Sequence, residues 1–245
     1  MFRKNWRYFC LTVAAAVLAL AVFGARGWIA AALFRDDAAL TLQGVGPLYV
    51  GGRRECSVVL ISDHEVITAA HCIFNPIPPH RLAPKIYYVL LGPRGAGYAA
   101  LRGVKAVAIL PGFVHGPVER LTLDNYAVDE ALLELDTPVG NDLAKPLPVA
   151  DWGGAAQVTI TGFPRDRPAV LQQQDCAVQQ HQGDVTQIGC AVVTGMSGAA
   201  VTVTGAKGPE LVATVSASVG GGSDPKAALV VSTAALLAQL RAALK

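Results

Sequence analysis

From Gly46 to Val231 the apolar residues come in short runs rich in valine and isoleucine, each closed by turn chemistry. That punctuation leaves little room for anything but strands. Pro47-Leu48-Tyr49-Val50 meets Gly51-Gly52, and Glu55 to Ile61 meets Ser62-Asp63-His64-Glu65 before Val66-Ile67-Thr68 returns. His64 and Glu65 are expected at the exposed turn, without a role. Asn75 to Pro79 reads as a surface loop, and Ile86 to Leu91 and Tyr98 to Ile109 as further strands. Residues 138–150, with Pro138, Pro146 and Pro148, read as a crossing between two halves. Beyond it Ala156 to Gly162, Val170 to Val178, Gln187 to Val193, Ala199 to Thr204 and Leu211 to Val219 are strands. Gln179 to Thr186 and Gly220 to Ser223 are expected as loops. Only Ser232 to Lys245 carries leucine and alanine at helical spacing without a breaker. The pattern predicts an all-β chain of two packed antiparallel barrels with one C-terminal helix.

The N-terminus has a different character. Arg3, Lys4 and Arg7 precede an apolar run from Tyr8 to Ala25. Residues 1–24 read as a signal peptide, with cleavage after Gly24 or after Ala32, or as an uncleaved membrane anchor. The run is close to the roughly 17 residues of the shortest spanning helices. Either reading places the remainder beyond the membrane, secreted, periplasmic or tethered. Residues 25–44 are expected as a spacer or short pro-segment, residues 45–137 as the first barrel and residues 151–245 as the second.

Charge excludes one class of partner. The net charge of +2 owes its sign to the leading basic residues: without those three, the 20 basic residues fall to 17 against 18 acidic ones. No basic patch remains to bind nucleic acid. Cys10 lies in the apolar run, which leaves Cys56, Cys72, Cys176 and Cys190. Four cysteines in an exported chain suggest two disulfides, with three possible connectivities. No pair has Cys-x-x-Cys spacing and the five histidines are scattered, so no metal site and no cofactor is expected.

Three stretches carry chemistry: Thr68-Ala69-Ala70-His71-Cys72, Asp129-Glu130-Ala131-Leu132-Leu133-Glu134-Leu135 and Gly195-Met196-Ser197-Gly198. Histidine, aspartate and serine follow in the order of the trypsin-like serine proteases. Over residues 45–245 the chain resembles that family, in its bacterial glutamyl-endopeptidase-like branch. The resemblance implies two six-stranded Greek-key barrels. It also implies a Cys56–Cys72 bridge that clamps the histidine loop. Cys176 and Cys190 bound a second segment, and a bridge there would tether the approach to Ser197.

A serine hydroxyl is a weak nucleophile at neutral pH and needs a base whose tautomer is fixed. Ser197 would attack the carbonyl, His71 would take and return the proton, and Asp129 would hold the imidazole. Asp124 competes for the third role but lacks the following leucine pair. Glu130 departs from the family, which has an apolar residue there. The N–H groups of Gly195 and Ser197 would form the oxyanion hole. Met196 replaces the aspartate that pairs with a cut N-terminus in animal digestive relatives, so activation by that ion pair is not expected. The resemblance puts Ala191 at the base of the primary specificity pocket and Ser218-Val219-Gly220 along the substrate. Ala217 stands where glutamyl endopeptidases place a recognition histidine. These residues predict cleavage after small or apolar residues of a polypeptide, by a monomer. The competing readings are an idle binding protein on a protease scaffold and a membrane-tethered maturation protease.

Overall fold

The structure is a computed structural model that describes residues 42–244, apart from 77–78, 93–96, 117–121, 141, 168–169 and 221–225. The expected signal or anchor, most of the spacer, and Gly221 to Ser223 lie outside the described residues.

The first half opens with β1 (Val45–Val50) and β2 (Arg53–Leu60). The Val50↔Arg53 pair closes them around the two-residue turn Gly51-Gly52. β3 (Glu65–Thr68) follows, then a 3-10 turn at Ala70–Ile73 that carries His71. The stretch expected as a surface loop is instead a small hairpin, β4 (Phe74–Pro76) with β5 (Pro79–Arg81), in which Asn75 pairs with His80. Prolines fit there because a two-stranded ribbon has only one paired edge per strand. β6 (Tyr87–Leu91), β7 (Ala100–Ile109), the one-turn helix α1 (Leu123–Tyr126) and β8 (Ala131–Leu135) complete this half.

The second half contains β9 (Gln157–Gly162), β10 (Gln172–Gln182), β11 (Val185–Ile188), β12 (Ala200–Gly205), β13 (Gly208–Val219) and β14 (Ala227–Ser232). The helix α2 (Thr233–Ala243) ends the fold. The polar segment expected as a loop between Gln179 and Thr186 is largely ladder, with Gln180↔Gln187 and Gln182↔Val185 paired across a tight turn. Strand formation there needs only backbone pairing. Most β10 side chains face solvent, which glutamines satisfy as well as valines would.

Each half closes into a six-stranded antiparallel barrel: β1-β2-β3-β8-β7-β6, and β10-β11-β14-β13-β12-β9. In both, three consecutive strands are joined by a fourth that returns beside the first, the Greek-key order. The fold is therefore the one expected from the strand pattern. Each barrel has its own apolar core, around Leu60, Tyr87 and Leu133 in one and around Ile160, Val201 and Val230 in the other. A third cluster joins Ile67 and Leu132 of the first barrel to Phe163, Leu211 and Val231 of the second and to Leu236 and Leu240 of α2. The helix thus closes the seam between barrels. Its Arg241 also forms a bidentate ion pair with Glu65, 2.6 and 3.0 Å at the nearest atoms. Glu65 is therefore not an idle turn residue: it begins β3, where its side chain reaches the helix.

Candidate active site

Strand register brings histidine and aspartate together. Thr68 at the end of β3 pairs with Ala131 at the start of β8. His71 lies three residues past the first and Asp129 two residues before the second, so both emerge at the same end of the strand pair. The fully buried Ala69 and Ala70 let the chain turn tightly there, since nothing larger than a methyl enters the core. The Cys56–Cys72 disulfide, with sequence separation 16, fastens this turn to β2. In the entropy model a loop of that length contributes about 3 kcal/mol. A second disulfide joins Cys176 and Cys190.

Asp129 holds His71 at two points. Its Oδ1 accepts the His71 backbone N–H at 2.9 Å, and its Oδ2 lies 2.8 Å from the ring Nδ1. The same Oδ2 accepts the hydroxyl of Ser216, on β13 of the other barrel. Asp129 is only 3 % exposed, so its charge acts on the ring with little screening. Burial is the largest influence on His71 and opposes the imidazolium; the charge and hydrogen bond of Asp129 together outweigh it, and the pKa is raised. With Nδ1 held by the carboxylate, Nε2 is left to exchange a proton. Asp124, the alternative carboxylate, is exposed in the first turn of α1.

The serine loop is pressed onto the same corner. Ser57 N–H donates to the Ser197 carbonyl at 2.8 Å, and Gly198 N–H donates to the Val215 carbonyl at 2.7 Å. Gly198 has φ +76°, and a Cβ there would lie 2.2 Å from Thr68 Oγ1 and 3.0 Å from Ala69 N. Only glycine lets the loop come this close to the segment leading to His71. Gly195, at φ +96°, would with a Cβ meet Arg165 N at 2.5 Å. Ser197 is partly exposed. Among the described residues, neither the Ser197 hydroxyl nor the N–H groups of Gly195 and Ser197 have a hydrogen-bond partner. Among the described residues, the loop therefore presents one hydroxyl and two amide donors without a partner.

Met196 is 4 % exposed and packs with Val158, Val192 and Ala199 in the second core. Ala191 is exposed just after Cys190, whereas its neighbour Val192 is buried. Ser218 and Gly220 are exposed at the far end of β13 and beyond it. The β13 serine that reaches Asp129 is Ser216, which sequence reasoning missed. The clue was its position two residues before Ser218, a signal that fixes no direction for a side chain.

The sequence marks Glu130 only by its departure from the family pattern. It is fully buried, and its Oε1 accepts hydroxyls from Thr214 on β13 (3.0 Å) and Thr233 on α2 (2.6 Å). Burial first, with the Asp129 charge adding, pushes its pKa up to about 8 although both threonine bonds work the other way. Two adjacent carboxyl groups thus play different parts, one holding His71 and the other buried in the seam, where burial favours its protonated form.

Paired barrels with a histidine–aspartate couple and a glycine-flanked serine at their junction define a serine-hydrolase architecture. The sequence model of the trypsin family matches residues 41–235, and the chain belongs to that family. It is 28% identical to Serine protease 23 of Bos taurus over 165 residues, 60% of this chain and 43% of that protein. The Mus musculus Serine protease 23 is 27% identical over 174 residues, 63% of this chain and 44% of that protein. Serine protease filzig of Drosophila melanogaster is 33% identical over 135 residues, 49% of this chain and 7% of that protein. The chain spans less than half the length of these relatives. All are animal proteins, and none supports the expected bacterial glutamyl-endopeptidase-like branch.

Proposed function

We propose that the protein is a serine endopeptidase that cleaves polypeptides through an acyl-enzyme on Ser197. His71 takes the Ser197 proton as the hydroxyl attacks the carbonyl, then passes it to the leaving amine. Asp129 keeps the ring in the tautomer with Nε2 free and stabilises the imidazolium that forms. The developing oxyanion is met by the N–H groups of Gly195 and Ser197; one such donor is worth about 3–4 kcal/mol of transition-state stabilisation. The carrying observation is the double hold of Asp129 on His71, on a corner against which the Ser197 loop is packed.

Specificity follows from what two positions lack. Ala191 offers no carboxylate for lysine or arginine, and Ala217 no imidazole for glutamate, so the residue before the cut is small or apolar. Ser218 and Gly220 would line the substrate backbone. What remains of the glutamyl-endopeptidase likeness rests on Met196: its thioether cannot pair with a new N-terminus, so the serine loop takes its shape without that ion pair. Two disulfides support an oxidising compartment, hence action beyond the cytoplasm.

The test is a fluorophosphonate probe on the purified chain beside a panel of chromogenic peptides. Labelling lost in Ser197→Ala, with hydrolysis after alanine or valine, is the expected result. An unreactive wild type would put the chain among idle scaffolds, and turnover confined to lysine, arginine or glutamate peptides would overturn the specificity.

A further inference from the structure

Three successive peptide planes set the directions of the Gly195 and Ser197 amides. The Thr194 carbonyl accepts from Arg165 N–H at 2.8 Å. A trans amide points its C=O and N–H in opposite directions, so the Gly195 N–H is turned away from that bond. The Met196 carbonyl accepts from Ala199 N–H at 2.9 Å, which turns the Ser197 N–H away in the same manner. The plane between them, Gly195–Met196, decides how the two donors are aimed relative to each other. Its N–H donates to the Val193 carbonyl at 3.0 Å, and its carbonyl accepts from Ser57 Oγ at 2.9 Å.

Ser57 is fully buried on β2, one residue after the disulfide-bonded Cys56. Its oxygen also accepts from Phe163 N–H at 3.0 Å. An amide N–H can only donate, so the single hydroxyl proton is committed to the Gly195 carbonyl. Phe163 leads through Pro164 to Arg165, whose amide fixes Thr194. One hydroxyl of the first barrel therefore bonds the middle plane of the three directly, and also the chain end that leads to the amide on the first. Core-buried Met196 brings no charge that could do so.

We propose that Ser57 is a positioning residue for oxyanion stabilisation, its hydroxyl holding the Gly195–Met196 peptide in the orientation that aims Gly195 and Ser197 N–H at the reacting carbonyl. The inference rests on the catalytic reading of Ser197 given above. It predicts a defect in the transition state and not in substrate binding, because the Ser57 hydroxyl is spent on the protein's own backbone, at the Gly195 carbonyl and the Phe163 N–H.

Ser57→Ala tests it, with Ser57→Cys as a variant of similar shape and weaker donor strength. Thr202→Val is the comparison, since it removes another buried hydroxyl, on β12 and bonded to the Thr159 carbonyl. Losing an oxyanion donor outright costs about 10²–10³ in kcat; misaiming both is expected to cost Ser57→Ala about 10- to 100-fold in kcat with KM unchanged. A peptide boronate should weaken by the same factor, Ser57→Cys should fall between, and Thr202→Val should lose thermal stability with kcat intact. If Ser57→Ala is insoluble, Ser57→Cys carries the same reading. A labelled, active wild type whose Ser57 variants keep kcat within about threefold overturns the proposal for Ser57 alone. A wild type inert to the probe overturns the catalytic reading instead. In that event amide exchange over residues 193–198 decides: faster exchange in Ser57→Ala upholds the positioning role, and unchanged exchange ends it.

Discussion

Asp129 and Glu130 are chain neighbours with different partners, and each makes a prediction. Because Asp129 holds the His71 pKa above its ordinary value of 6.5, the ring is protonated, and idle as a base, to a higher pH. The acid limb of kcat/KM is therefore expected to have its midpoint above pH 6.5, read from a pH–rate profile. Asp129→Asn should lower kcat by on the order of 10⁴, because the wrong tautomer then faces the serine. For Glu130 the native state keeps a proton that the unfolded chain releases above its ordinary pKa of 4.5. Its stabilising contribution is complete below that value and is lost as pH rises to about 8. Between those limits the wild type should lose up to ~4 kcal/mol relative to Glu130→Gln, measured by urea unfolding at several pH values.

Among the elements, α2 shows which contacts carry stability. Leu240 is fully buried in the seam, and Leu240→Ala is expected to cost about 3 kcal/mol through lost transfer energy and a cavity. Arg241, one residue on, makes the most conspicuous ion pair of the helix, yet its side chain is 48% exposed. Solvent screening leaves such a pair less than about 1 kcal/mol, so Arg241→Ala should barely move the urea midpoint. The opposite ranking would mean that the helix is held by charge and not by packing.

At the scale of the molecule the barrels are bound by one continuous set of contacts. The third apolar cluster draws on both, and Thr214, Ser216 and Thr233 of the second half hold Glu130 and Asp129 of the first. Ser57 reaches in the other direction to Gly195 and Phe163. A barrel separated from its partner would expose that cluster and strip Glu130 and Asp129 of the hydroxyl donors that cross the seam. Unfolding is therefore expected as one transition, with tryptophan fluorescence and far-UV circular dichroism coincident. Two resolved steps would contradict this account of the seam.

Most strand positions, the late helix and the segments bearing His71, Asp129 and Ser197 were legible in the amino-acid order, although the strand expected over Gln187 to Val193 ends at Ile188. Alternation, turn residues and short motifs are local, and the chain writes them locally. Backbone pairing across the Gln179–Thr186 region was hidden, because ladders form between main chains and polar side chains do not forbid them. The partners of the site were hidden for a different reason. Ser216 on Asp129, Thr214 and Thr233 on Glu130, and Ser57 on Gly195 are contacts between residues more than 80 positions apart. A serine or threonine in a strand carries the same local signal whether its hydroxyl meets water or a carboxylate. Only the closure of two barrels against each other selects the partner, since it alone decides which polar atoms lose water and must find one another.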